Sequence, residues 1–163
     1  MKILLLSDTH SYIDDRILHY AAEADEVWHA GDIGNLKVTD ALASKAKLRG
    51  VYGNIDDHKI RATFPLNNRF TCEGVDVWIT HIGGYPPKYN INTREEIKEN
   101  PPKLFICGHS HILKVMPDKR YGLLHMNPGA CGTNGFHKIR TMLRFEINSG
   151  KIENLEVVEL GKK

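Results

Sequence analysis

The first half of the chain alternates short apolar-rich runs with stretches that carry apolar residues at helical spacing. The short runs predict strands buried on both faces. They are Ile3–Leu6, Val27–Ala30 and Leu48–Tyr52. Ser11 and Asp14 resemble a capping box that opens a helix through about Ala24, and a second helix is predicted over roughly Leu36–Ala46. This β-α-β-α-β order predicts a parallel sheet.

The second half reads as mostly antiparallel β structure. Arg69–Cys72 and Val75–Thr80 flank Glu73-Gly74, which predicts a hairpin, and a short helix is predicted over Thr93–Glu99. Five further strands are predicted at Leu104–Cys107, Ile112–Met116, Gly122–Met126, Thr141–Ile147 and Ile152–Leu160. The two halves fit one α/β domain over residues 1–163, a two-sheet β-sandwich flanked by helices.

Composition excludes several functional classes. The 163 residues have a formal net charge of +2 and scattered Lys and Arg, so nothing indicates a nucleic-acid partner. No stretch approaches the ~18–20 apolar residues of a membrane span. The three widely spaced cysteines are an odd number, which argues against a disulfide framework and favours reduced thiols and a cytoplasmic location.

Nine histidines are a high count for this length, and several of them follow predicted strands. Side chains able to bind metal lie just beyond five strand ends: Asp8 and His10, Asp32, Asn54, His81, and His109 with His111. Ligands of open α/β sheets bind beyond the carboxyl ends of the strands. Residues two apart in extended chain point the same way, so each closely spaced pair can face one site. Glycine precedes Asp32, Asn54 and His109, where the backbone can approach a ligand closely.

In this order, these residues resemble the motif set of the calcineurin-like metallophosphoesterases. The motifs are Asp8-Thr9-His10, Gly31-Asp32, Gly53-Asn54, His81 and Gly108-His109-Ser110-His111. The short chain and Asn127-Pro128-Gly129-Ala130 look most like the small YfcE-type phosphodiesterase branch. The resemblance implies that Asp8, His10 and His111 bind one metal. It also implies that Asn54, His81 and His109 bind a second metal, and that Asp32 bridges the two.

The resemblance further implies a two-metal hydrolysis of phosphodiesters. Two divalent ions about 3.5–4 Å apart clamp the attacking and leaving oxygens, and a hydroxide held between them attacks phosphorus. Asp32, Asn54 and His109 are the expected catalytic residues, and Asn54 and His109 are also expected to contact the substrate. The mixed imidazole and oxygen ligands favour Mn, Fe, Co, Ni or Zn. By resemblance, Mn²⁺ is the metal expected to support activity in vitro.

One position departs from the family pattern. Many members carry a histidine directly after the asparagine, on the leaving-group side, where this chain has Ile55. Isoleucine can neither donate a proton nor bind phosphate, so diesters with good leaving groups are expected to react better than monoesters. Asp56 and His58 are candidate replacements, although a role in the loop is favoured for both. The expected substrate is a small, nucleotide-like phosphodiester.

Other interpretations stay open at this point. The site could serve a phosphomonoesterase or pyrophosphatase, or the same fold could be a non-catalytic scaffold resembling the small retromer subunit. Late strands could pair in a homo-oligomer. Of the remaining histidines, His29 is either a core residue or a support for a metal ligand. A structural role is favoured for His125 and a surface position for His137.

Overall fold

The structure is a computed structural model that describes residues 1–163 as two five-stranded sheets with four short helices. The helices are α1 (Asp15–Ala22), α2 (Leu36–Ala43), α3 (His58–Thr63) and α4 (Arg94–Glu99). The first sheet contains β1 (Lys2–Leu6), β2 (Glu26–His29), β3 (Lys47–Gly50), β11 (Ile139–Asn148) and β12 (Lys151–Lys162). The second sheet contains β4 (Asn67–Cys72), β5 (Val75–Thr80), β8 (Leu104–Ile106), β9 (Leu113–Asp118) and β10 (Leu123–Pro128). A separate small hairpin is formed by β6 (Gly84–Tyr85) and β7 (Lys88–Tyr89).

The first sheet confirms the pattern predicted for the first half. Its strand order is β12-β11-β1-β2-β3, with β1, β2 and β3 parallel and β11 and β12 added antiparallel. In β1 the side chains alternate between two apolar layers. Ile3 and Leu5 pack towards the second sheet, whereas Leu4 and Leu6 pack under α1 and α2. The central strands are therefore apolar on both faces because a layer covers each of them.

The strand pairings of the second half are mostly antiparallel, as predicted, but the second sheet has a parallel centre that was not predicted. Its order is β4-β5-β8-β10-β9, and its three central strands, β5, β8 and β10, are parallel. The antiparallel neighbours are confined to the two edges. The segment carrying α4 returns the chain so that β8 can run alongside β5 in the same direction. A three-residue buried run such as β8 has the same apolar pattern in either direction, so the sequence did not distinguish them.

Three local features also differ from the prediction. Asp14 rather than Ser11 caps α1, since its carboxylate accepts from the Ile17 N–H at 2.8 Å. Ser11 is instead in a left-handed turn, with its N–H donating to the carbonyl of Ile33. The six-residue helix α3 and the β6–β7 hairpin, whose strands have two residues each, were not predicted.

None of the four helices is long and apolar enough to cross a bilayer. Cys72, Cys107 and Cys131 are buried and unpaired, as predicted. The helices lie outside the sandwich, which confirms the predicted fold class.

His125 is a buried polar residue on the outer face of the second sheet. It lies on β10 with its ring centroid 5.8 Å from that of Phe105 and 6.5 Å from that of Tyr85. Neither ring nitrogen has a hydrogen-bond partner, and the residue has no exposed surface. Burial, reinforced by the charge of Lys114, lowers the pKa of His125 to about 4. The residue is structural, as predicted, and it is neutral at pH 7.

We expect His125→Leu to reduce the loss of stability on acidification. In the unfolded chain the ring takes up a proton below its ordinary pKa of ~6.5, whereas the folded chain resists until about pH 4. The stability that depends on the neutral His125 ring is therefore fully present above pH 6.5 and is lost as the pH falls towards 4. Between pH 7 and pH 5, protonation of this group in the unfolded chain lowers the free energy of unfolding by about 2 kcal/mol.

The free energy of unfolding, measured by urea denaturation at pH 7 and pH 5, checks this. His19→Leu is the matched control, because His19 is exposed on α1. An equal acid-induced loss in His125→Leu and the native chain would show that His125 is solvated.

Candidate metal centre

All seven side chains predicted from the sequence converge where the two sheets end. The first sheet supplies Asp8 and His10 after β1, Asp32 after β2 and Asn54 after β3. The second sheet supplies His81 directly after β5, and His109 and His111 after β8. The carboxyl ends of parallel strands in both sheets thus face one cleft.

Two sets of three metal-capable side chains are formed within this group. The first is Asp8, His10 and His111, and the second is Asp32, His81 and His109. Within each set the ligand atoms lie within 4.8 Å of one another. The Oδ2 atom of Asp32 is 3.2 Å from His81 Nε2 and 3.5 Å from His10 Nε2, so this carboxylate lies between the sets. The same grouping is implied by the family resemblance.

Asn54 completes the second set from the rim of the cleft. Its Oδ1 atom lies 3.0 Å from Nδ1 of His109. Asn54 and His109 are both exposed, whereas Asp8, Asp32 and His81 are almost completely buried. The centre therefore has a buried floor and an open side, and the two residues expected to contact substrate lie on the open side.

His81 shows why a cation fits this arrangement. Its Nδ1 atom lies 2.7 Å from the carbonyl oxygen of Ala30, which can only accept, so Nδ1 carries the proton. In the neutral ring, Nε2 then presents a lone pair to carboxylate oxygens of Asp32 at 3.2 Å and Asp8 at 3.9 Å. A cation or a second proton is needed between them.

Three buried atoms aimed into the centre have no hydrogen-bond partner: Oδ1 of Asp8, Nε2 of His10 and Nε2 of His81. Leaving such atoms unpaired is costly, and metal coordination satisfies all three. The residues present therefore fit a pair of divalent ions.

The ionisation of the ligands follows from the same contacts. Burial by itself raises the pKa of Asp8, but the close contact with His111 and the charge of His81 hold it below its usual value. Burial likewise opposes ionisation of Asp32, but the close contact with His81 and its charge, together with the N–H of Ile55 and the charge of His10, lower the pKa of Asp32. Both carboxylates are ionised at neutral pH.

The histidines of the second set shift in opposite directions. Burial disfavours the charged form of His81, yet the close contact with Asp32 and the two carboxylate charges raise its pKa. Burial and the charge of His81 lower the pKa of His109. The opposite shifts show that positive charge is favoured at His81, between the two carboxylates, where a cation would bind.

The backbone at the ligands is strained. Five of the seven residues have a positive φ: Asp8 (55°), His10 (44°), Asp32 (56°), His109 (72°) and His111 (60°). Side chains with a Cβ adopt this region at a cost of about 1–3 kcal/mol each, and such residues cluster at functional sites. The strain is held by main-chain hydrogen bonds between loops, from Asp8 N–H to the Gly31 carbonyl and from His10 N–H to the Asp32 carbonyl, both 3.0 Å.

Glycines make room for ligands of other motifs. A Cβ on Gly53 would lie 2.1 Å from Oδ1 of Asp32, and a Cβ on Gly31 would lie 2.6 Å from Nδ1 of His81. Both distances are far below van der Waals contact. The glycines that precede the motif residues are therefore required because neighbouring ligands occupy the space of a side chain.

Asp56 was a candidate replacement for the absent leaving-group histidine, and the structure gives it another role. Its buried carboxylate accepts from the backbone N–H groups of Ile33, Gly34 and Gly53 at 2.7–3.1 Å. It thereby ties the loop after β2 to the loop after β3. His58 is exposed at the start of α3.

His29 is a satisfied core residue that braces two ligand loops. Its Nδ1 atom accepts from Gly31 N–H, so Nε2 carries the proton and donates to the Thr9 hydroxyl at 2.9 Å. Thr9 in turn donates to the carbonyl of Ile33. His29 contacts no ligand side chain directly, and it joins the residues beside Asp8 and Asp32.

The loop before β11 contacts the first ligand set. These supporting contacts were not predicted from the sequence. The Asn134 amide lies 3.2 Å from Nδ1 of His10. His137 was predicted to be a surface residue, but it is half-buried and its ring centroid is 5.3 Å from that of His111. Neither residue belongs to a strand-end motif, so only tertiary contacts reveal them.

Comparison with known proteins agrees with this geometry. Residues 1–150 match the family model of the calcineurin-like phosphoesterase superfamily domain. A probable metallophosphoesterase of Methanocaldococcus jannaschii is 28% identical over 138 residues, which cover 80% of this chain and 68% of that protein.

Solved structures share the fold at low identity. An archaeal phosphodiesterase has a TM-score of 0.73 at 22% identity, covering 98% of this chain and all of that one. A zinc complex of Vps29 from Entamoeba histolytica has a TM-score of 0.74 at 17% identity, covering 98% and 99% of the two chains. The family match over residues 1–150, together with the metal-capable cleft, leads to one conclusion: this chain belongs to the calcineurin-like phosphoesterase superfamily.

Proposed function

We propose that this protein is a phosphodiesterase that works with two divalent metal ions. The observation that carries the proposal is the contact between the Nε2 lone pair of His81 and the carboxylates of Asp32 and Asp8, which only a cation or an added proton can stabilise. Asp8, His10 and His111 would hold one ion. Asn54, His81 and His109 would hold the other, and Asp32 would contact both.

Charge balance favours an anionic substrate. When bound, two divalent ions supply a water of lowered pKa and neutralise phosphoryl charge. The two carboxylates offset only half of the four positive charges, so the remaining charge attracts a phosphate group. His109 and Asn54 lie on the open side and would contact the phosphoryl oxygens, with the Asn54 NH₂ group as the hydrogen-bond donor, because the Nδ1–H of a neutral His109 is already donated to Asn54 Oδ1.

The leaving-group side lacks an acid. Ile55 is 46% exposed beside Asn54, and its backbone N–H is bonded to Asp32 Oδ1. Asp56 is committed to three backbone N–H groups, and the next acid in this loop, Asp57, caps α3 by accepting from the N–H groups of Lys59 and Ile60. Ester groups that depart without protonation should therefore react best, which favours diesters with good leaving groups over monoesters.

Activity, rather than metal binding, distinguishes the proposed enzyme from a non-catalytic scaffold of the same fold. The E. histolytica Vps29 structure was determined as a zinc complex, so bound metal alone does not identify an enzyme. All seven candidate ligands are present in this chain, which supports the enzyme. Mn²⁺ as the working metal, a cytoplasmic location and a homo-oligomeric state remain predictions; for the last, the long edge strand β12 is available for pairing.

Hydrolysis of bis(p-nitrophenyl) phosphate should require Mn²⁺ or a similar ion and the proposed ligands. We expect Asp32→Ala and His109→Ala each to lower kcat/KM by at least about a hundredfold, because each removes a group that holds metal or phosphoryl charge. Steady-state release of p-nitrophenolate measures this. The exposed residue His19, changed to Ala, is the control. Turnover unaffected by both ligand variants would refute the site.

Restoring the absent acid should change substrate preference. In Ile55→His, we expect the ratio of phenyl phosphate to bis(p-nitrophenyl) phosphate turnover to rise about tenfold, since a proton donor helps the monoester with the poorer leaving group most. Ile55→Asn is the matched control, because it is polar but does not titrate. A native chain that already prefers the monoester would contradict the argument from Ile55.

A methyl group added beside Asp32 should weaken metal binding although none of the proposed ligands is replaced. Gly53 has an ordinary backbone conformation, so Gly53→Ala tests only the overlap of its Cβ with Asp32. We expect the Mn²⁺ affinity, measured by calorimetry, to fall about 10–100-fold.

Gly122→Ala is the control for this glycine substitution. No atom lies within 4 Å of its added Cβ, although φ is +64°, so it should lower stability by about 1 kcal/mol and leave Mn²⁺ binding unchanged. Native affinity in Gly53→Ala would place the metal away from Asp32.

A further inference from the structure

A cleft of about 520 Å³ opens directly beside Asn54 and His81. Side chains from both sheets line it: Tyr52 and Arg61 follow β3, Leu66 and Asn67 begin the second sheet, and Ile82 and Asn92 follow β5. Its volume is in the range of small-molecule sites. A group bound at the metal centre through Asn54 would therefore have room to extend into this cleft.

The fixed polar groups of the cleft are hydrogen-bond donors. The Oδ1 atom of Asn67 accepts from the Trp78 indole N–H at 3.0 Å. Because that indole can only donate, the amide orientation is determined and the Asn67 NH₂ group remains free. Arg61 is held by bonds to the carbonyls of Asp56 and Asn54, and it lies 4.8 Å from the Tyr52 ring, which leaves its Nη1 atom without a partner.

The remaining lining is neutral and partly apolar. No carboxylate lines the cleft, so an electron-rich ligand meets no repulsion there. Leu66 is 52% exposed, and the Asn92 side chain makes no hydrogen bond within the chain. A ligand group that suits these walls has a flat apolar face and carbonyl oxygens on its edge.

We propose that this cleft binds the nucleoside of a nucleoside phosphodiester, with base carbonyls accepting from Asn67 and Arg61 and the base face against Leu66. This inference rests on the proposed function and names its substrate class. The phosphodiester would lie at Asn54 and His109, and the nucleoside would be the ester group retained on phosphorus.

Two esters with the same leaving group measure how much the cleft contributes to hydrolysis. Thymidine 5′-(p-nitrophenyl phosphate) and methyl p-nitrophenyl phosphate both release p-nitrophenolate, and only the first can fill the cleft. With Mn²⁺ we expect kcat/KM for the thymidine ester to be about a hundredfold higher, since binding of a remote group contributes to the rate.

Asn67→Asp is the decisive variant. It keeps an oxygen for Trp78 and replaces the free donor by an acceptor, so the ratio of kcat/KM for the thymidine ester to that for the methyl ester should fall at least about tenfold, a ratio in which the effect of the added charge on the phosphodiester group common to both esters cancels. Asn92→Ala should reduce the same preference severalfold. Asn100→Asp, the same charge change on an exposed residue after α4, should alter neither rate.

Binding of thymidine 5′-monophosphate to the Mn²⁺-loaded protein, measured by calorimetry, tests the cleft without turnover. Weaker binding in Asn67→Asp supports the nucleoside site even if neither ester is hydrolysed, an outcome that would count only against the phosphodiesterase. Native preference and native binding in Asn67→Asp would overturn the inference. It would also be overturned if this variant weakened pyrophosphate binding but not thymidine monophosphate binding, because the cleft would then hold a second phosphate.

Discussion

The organisation of this protein depends on a contact that is unfavourable without a cation. Carboxylate oxygens of Asp8 and Asp32 and imidazole nitrogens of His10, His81 and His111 face one another at 3.2–3.9 Å. The carbonyl of Ala30 fixes the tautomer of His81, so this repulsion cannot be relieved by moving a proton within the neutral ring. Buried like lone pairs of this kind are retained where a positive ion binds, and the surrounding loops are built to keep them together.

Keeping them together requires rigid loops. The ligands in left-handed conformations would relax if their loops were free to move. Asp56 prevents this by joining two loops through three hydrogen bonds, and His29 joins the loops after β1 and β2 from within the core. The stability of the sandwich thus offsets the strain at the ligands, as expected of a preorganised site.

Much of this arrangement could be predicted from the sequence because the ligands follow strands. Strand ends are visible as apolar runs, and the two-residue spacings of Asp8 with His10 and of His109 with His111 direct each pair to one side. The supporting residues were harder to predict. Asp56 acts on backbone groups of other loops, Asn134 and His137 arrive from a distant loop, and nothing in their local sequence indicates it. The direction of β8 was likewise invisible, because a short buried strand has no directional pattern.

Because the centre lies between two sheets, the apolar layer that separates the sheets also affects the positions of the candidate ligands. The first sheet holds Asp8, His10, Asp32 and Asn54, and the second holds His81, His109 and His111, so each ligand set combines side chains from both sheets and its internal distances depend on the spacing between the sheets. That spacing is determined by side chains such as Leu5, Ile79 and Ile106 in the layer between them. A change of volume in this layer would shift one half of the ligands against the other. Core residues that lie far from the cleft therefore help to determine the distances between the candidate metal ligands.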